Sequence, residues 1–127
     1  MSPILRHFEL DVYQLAFDGA LLVFDVSDSF PNENDDDSRL TNRLRESSRA
    51  VYSSITDAWE RRLYELAFTS ELIGAEAMAG ETKTWLKFAA EREYLPENRA
   101  SHLLALYDKI IDELIEMIAD PDPWLLP

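Results

Sequence analysis

Five hydroxyl side chains, Ser47, Ser48, Ser53, Ser54 and Thr56, share the stretch SSRAVYSSITDAWERR with Val51, Ile55, Ala58 and Trp59. A serine or threonine becomes a nucleophile only with a base within hydrogen-bond reach, and the chain offers two histidines, His7 and His102. Neither falls in a triad or a serine–lysine motif. A carboxylate-bridged metal site in a helical bundle needs Glu-x-x-His pairs, yet Ile4 and Arg99 stand three residues before the histidines. With no cysteine there is no thiolate nucleophile, thiolate metal site or disulfide. The residues therefore predict no catalytic set, metal site or cofactor, and the chain reads as a non-enzyme.

The hydroxyls have a packing explanation instead. Small hydroxylated residues let a neighbouring helix approach closely and return their hydrogen bond to a carbonyl one turn earlier. On this reading Ser54 sits at a close helix contact and tolerates alanine but not leucine.

A second set of groups is cationic. Arg39, Arg43, Arg45, Arg49, Arg61 and Arg62 are half of the 12 basic residues and fall within 24 positions. They either pair with neighbouring carboxylates across a helical surface or form a strip for an anion or nucleic acid. Against 25 acidic residues the formal charge is -13, which repels phosphate backbones and disfavours general nucleic-acid binding.

The elements that carry these groups follow from apolar spacing. Leu10, Tyr13, Phe17, Leu21 and Phe24 recur every three or four positions and predict a helix over about 8–28, with Val12, Ala16 and Val23 widening its stripe. The run from Phe30 to Ser38 is dense in proline, asparagine and aspartate and predicts a solvated loop, with Asp37 or Ser38 capping the next helix. That helix, about 39–61, carries Leu40, Leu44, Ser47, Val51, Ile55 and Ala58 at near-heptad spacing, a step that Arg62 continues just past its end. A third, about 65–93, carries Phe68, Leu72, Ala75, Ala79, Thr82, Leu86 and Ala89. The two cannot be continuous, because 39–92 would span roughly 80 Å at ~1.5 Å per residue. The polar cluster Arg61–Glu65 is the expected break, with Gly74 and Gly80 as rivals.

Pro96 disfavours helix at Leu95 and suits the first turn of a fourth helix, about 97–119. Leu103, Tyr107, Ile110, Leu114 and Met117 form its stripe, and Leu104, Ile111, Ile115 and Ile118 make that face wide. Pro121 and Pro123 stop it. The tail Trp124-Leu125-Leu126 is expected to dock on the bundle or on a neighbouring subunit. Nothing alternates at the strand period, so residues 1–127 predict one all-α domain, an antiparallel up-and-down four-helix bundle. No apolar run approaches the roughly 18 residues of a membrane span, and the N-terminus lacks a signal-peptide pattern, so a cytoplasmic protein is expected.

The chain resembles the bacterial four-helix-bundle proteins encoded by intervening sequences of large-subunit ribosomal RNA genes, and their relative, the accessory variability protein of diversity-generating retroelements. In the family's second-helix motif Ser-x-x-Ser-Asn-Ile-Ala-Glu-Gly, Ser53 and Ile55 match, Asp57 keeps the acid, and Ser54 and Ala58 are small replacements. Ala77-Met78-x-x-Glu81, Leu86 and Ala89 partly reproduce its third-helix motif. Tyr13, Phe17, Phe30-Pro31 and Tyr94-Leu95 also fall in place. Ala58 stands where the family has glycine. The resemblance implies a homo-oligomer, a ring-like pentamer, acting through protein contacts. The surplus apolar surface of 8–28 and 103–118 suits such a partner. It also implies an alternative, an accessory protein that binds a reverse transcriptase or nucleic acid, from which a charge of -13 departs.

Overall fold

The computed structural model describes residues 4 and 6–127; residues 1–3 and 5, part of the N-terminal segment read against a signal peptide, lie outside them. A 3₁₀ turn, His7–Glu9, leads into α1 (Asp11–Ser27), α2 (Asp35–Glu60), α3 (Glu65–Glu91) and α4 (Glu97–Ala119), and a second 3₁₀ turn, Asp122–Trp124, follows. Consecutive helices pack side by side and α4 returns to α1, which closes the up-and-down bundle.

Helix α2 begins four residues before its expected start. Asn34, not Asp37 or Ser38, is the cap: its Oδ1 accepts from the Asp37 backbone N–H at 2.9 Å. Asp35, Asp36 and Asp37 form the first turn, where their charges meet the positive end of the helix dipole. Half of the acidic loop is therefore helix. The Tyr94 hydroxyl donates to Asp37 Oδ1 at 2.8 Å and ties this end to the α3–α4 connection.

The α2–α3 break falls at 61–64, as the polar cluster predicts, and Gly74 and Gly80 lie inside α3. Arg62 makes the stop: its guanidinium stacks 4.0 Å over Trp59 and donates to the Trp59 carbonyl at 2.8 Å. Helix α3 ends two residues short of the expected 93. There the backbone N–H of Tyr94 donates to Ala89 O and that of Glu93 to Ala90 O, both at 2.9 Å. This pattern requires a left-handed residue, and Glu93 supplies it at φ 61°. Glu93→Gly relieves the Cβ strain and is expected to stabilise the protein by about 1 kcal/mol, read as a raised urea midpoint. A lowered midpoint would mean that the Glu93 side chain holds the turn.

The expected stripes of α2, α3 and α4 are buried from Leu40 to Ala58, Phe68 to Ala89 and Leu103 to Met117. Helix α1 is different. It turns Val12, Ala16, Gly19, Val23 and Val26 inward, whereas Phe17, Leu21 and Phe24 stay 40%, 53% and 51% exposed. Size decides this: a Cβ built at Gly19 would lie 2.9 Å from the Tyr107 hydroxyl, so only the small face of α1 fits against the fully buried Tyr107.

The hydroxyls also separate by burial. Ser47 and Ser48 are buried, Ser54 and Thr56 half-buried and Ser53 exposed. Ser47 Oγ donates to Leu44 O at 3.1 Å, Ser48 Oγ to Arg45 O at 2.9 Å and Thr56 Oγ1 to Tyr52 O at 3.0 Å. Across the α2–α3 contact Thr82 Oγ1 lies 2.9 Å from Ser47 Oγ and 2.9 Å from Met78 O, and its single proton serves one of them. The hydroxyl contact with another helix is made by Ser47, two turns before the half-buried Ser54. The tail docks: Trp124 and Leu125 pack against the core, and the Leu126 N–H donates to Arg62 O at 3.3 Å.

Candidate interaction surface on the first two helices

Phe17, Leu21 and Phe24 on α1 face Tyr52, Arg45 and Arg49 on α2 across a cleft of about 180 Å³, with Ala20 and the buried Ser48 also lining it. Its aromatic edge is a connected set. His7 meets Tyr13 edge-on at 4.8 Å, Tyr13 stacks on Phe17 at 6.0 Å, and Phe17 meets Tyr52 edge-on at 5.3 Å. These contacts hold the exposed rings in place, so the cleft is preformed.

The arginines divide. Arg45 lies 4.3 Å over the Phe24 ring, its Nε donates to Ser27 Oγ at 2.8 Å and it reaches Asp28 at 3.9 Å. It is committed to the C-terminal end of α1. Arg49, one turn on, shares its flank and makes no ion pair among the described residues. At 100° per residue Arg39 and Arg43 sit on the other flank of α2. Arg39 approaches Asp36 at 3.9 Å, while Arg43 is exposed and unpaired among the described residues. Arg61 pairs with Glu71 at 3.1 Å, and Arg62 is stacked on Trp59. Six arginines close in sequence therefore occupy three places, and Arg43 and Arg49 are the two whose guanidinium groups have no ion pair, hydrogen bond or ring contact among the described residues.

His7 is held in the aromatic set and His102 is exposed beside the α1–α4 seam, so neither meets the hydroxyls of α2. A larger cavity of about 380 Å³ at the other end of α1 brings Asp11, Glu113 and Glu116 beside Met117 and Trp124. Burial raises the Glu113 carboxyl pKa; Lys109 lowers it, and Asp11 and Glu116 raise it further. Among the described residues no group of histidine, aspartate and glutamate has the arrangement of a metal site. No described helix is long and apolar enough to cross a membrane.

The profile of the 23S rRNA-intervening sequence protein family matches residues 8–116. The chain belongs to that family. A solved structure from Bacteroides thetaiotaomicron, a protein of unknown function from the S23 ribosomal protein family, is similar at 20% identity with a TM-score of 0.76. The match covers 84% of this chain and 97% of that one, and at this identity it shows the fold alone. No functionally curated protein matches the chain.

The family match contains all of α1, α2 and α3 and ends three residues before the end of α4, so the docked tail with Trp124 lies beyond it. Within the second-helix motif, Ile55 and Ala58 are core, whereas Ser53 and Asp57 face outward one and two turns after Arg49. The feature that sequence reasoning missed is the outward direction of Phe17, Leu21 and Phe24. Its one signal was that α1 is apolar on two faces.

Proposed function

We propose that this intervening-sequence family member is a non-enzymatic, cytoplasmic helical-bundle protein that works as a homo-oligomer through protein contacts. The carrying observation is the exposure of Phe17, Leu21 and Phe24 on one side of α1. Contiguous apolar surface on a chain of formal charge -13 marks a partner site, because copies that repel through their net charge can still gain free energy by burying a patch that carries no like charge. The preformed aromatic edge supports this reading, since little side-chain ordering remains to oppose association. The family resemblance favours a ring of five.

Sedimentation at micromolar concentration is expected to give a defined multiple of 14.7 kDa. Leu21→Glu places a charge on that surface without touching the core and is expected to weaken assembly by at least tenfold. A wild-type chain that sediments only as the monomer would overturn the proposal.

A second reading rests on Arg43 and Arg49, exposed and free of ion pairs among the described residues. These would serve an accessory protein that binds a reverse transcriptase or structured RNA, their charge multiplied by symmetry in an oligomer. Binding of structured RNA at low salt, lost when both are changed to glutamate, is its expected result; no binding at any salt removes it. A neighbouring reverse transcriptase gene with template and variable repeats would favour this role over the first.

A further inference from the structure

The outer side of α3 is uncharged over most of its length. Leu66, Ser70, Ile73, Ala77, Thr84 and Phe88 are all exposed and step by three or four along one stripe, a seam about 33 Å long at ~1.5 Å per residue. Leu66 is 82% exposed, and Ile73 and Phe88 each 52%, in a chain in which 29% of residues are charged. Gly80 completes the stripe. A Cβ there would meet nothing within 4 Å, so the chain's own packing supplies no reason for a residue that weakens a helix interior. Close approach of another helix does supply one.

We propose that this seam is the contact between two copies of the chain, with their α3 helices antiparallel about a two-fold axis at Ala77. The seam is complementary to its own reverse. About that axis Leu66 meets Phe88 of the second copy, Ser70 meets Thr84, Ile73 lies over Gly80, and Ala77 meets itself. Large residues face small or aromatic ones, and hydroxyl faces hydroxyl. A two-fold contact keeps each flank of one helix against the same flank of the other, which brings Lys87 to Glu65 of the second copy at both ends. Among the described residues neither side chain has a hydrogen bond or an ion pair. An uncharged seam offers nothing to a phosphate backbone, and a heterologous protein would have no cause to match this reversal. The contact is separate from the α1 surface and of a different symmetry, so it adds a second interface to the oligomer proposed above.

The absence of cysteine makes the test clean. Ala77→Cys, an exposed and conservative change, is expected to form a disulfide-linked pair at twice 14.7 kDa under mild oxidation at micromolar concentration. Leu66→Cys alone and Phe88→Cys alone are expected not to link, whereas a mixture of the two does. Linking of all three single variants would indicate a parallel contact or random collision, and no linking in any would indicate another occupant or none; either result overturns the proposal. Glu76, half-buried on one flank, meets its own copy across the axis. Glu76→Gln is therefore expected to raise the linked fraction at residue 77, and a fall would count against this register. Repeating the Ala77→Cys experiment in the Leu21→Glu background separates the two interfaces. The link is expected to survive when the α1 contact is lost.

Discussion

Gly19→Leu is expected to destabilise the protein by about 3 kcal/mol or more, seen as a large drop in Tm or in the urea midpoint. Gly19 is buried in the middle of α1 and a Cβ there lies 2.9 Å from the Tyr107 hydroxyl and 3.1 Å from its ring carbon. Tyr107 is fully buried and cannot swing aside. Gly19→Ala is the graded version. Overpacking opposes the helix-propensity gain of about 1 kcal/mol, and a net loss of about 1 kcal/mol is expected.

Tyr107→Phe is the partner experiment. The hydroxyl is buried without a hydrogen-bond partner among the described residues; Ser48 lies close enough to ease ionisation slightly without closing a bond. Removing an unsatisfied hydroxyl is expected to stabilise by about 1 kcal/mol and to relieve the cost of Gly19→Ala, so the two changes couple. Burial raises the Tyr107 pKa well above its ordinary value of 10.0. The unfolded chain therefore ionises this tyrosine first. The native contribution is complete below about pH 10 and falls by up to ~1.4 kcal/mol per pH unit above it. Urea midpoints between pH 8 and 11 are expected to show that decline in the wild type and a shallower one in Tyr107→Phe. A destabilised Tyr107→Phe would mean that the hydroxyl has a partner after all.

Ser47→Leu is expected to cost about 3 kcal/mol, from overpacking of the α2–α3 contact and loss of the oxygen that Thr82 approaches at 2.9 Å. Ser54→Leu, at a half-buried position, is expected to change stability by less than about 1 kcal/mol. Thermal melts of the two variants side by side decide the matter. Equal costs would mean that both positions meet another helix, and no cost at Ser47 would remove the close contact from that position.

Much of the bundle was legible because its signals are local. Pro96 and the wide apolar stripe placed α4 at 97–119, the span it occupies. The heptad from Phe68 to Ala89 named every buried residue of α3, since small and large residues there share one face. The α2 start was less legible. Asn34, Asp37 and Ser38 can all cap a helix, and the backbone conformation of Asn34 made the choice. The hydroxyls were legible as packing groups but not individually. Ser47 and Ser54 are seven residues apart, nearly in phase, and which of them meets α3 depends on where the helices touch.

The arginines show the opposite limit. Closeness in sequence left pairing with carboxylates and a single strip both open, and a helix that turns 100° per residue spreads the six over both flanks and the far end of α2. Their partners, Ser27, Asp28 and Glu71, come from other segments. By itself the sequence determined an all-α chain, four helices with nearly these bounds, and more apolar surface than one core needs, because composition and period act within each segment. Only the tertiary structure decided which apolar face of α1 turned inward. The two faces share the same period, and the choice fell to volume, with the smooth side of Val12, Ala16 and Gly19 fitting Tyr107 and the bulky side of Phe17, Leu21 and Phe24 left exposed.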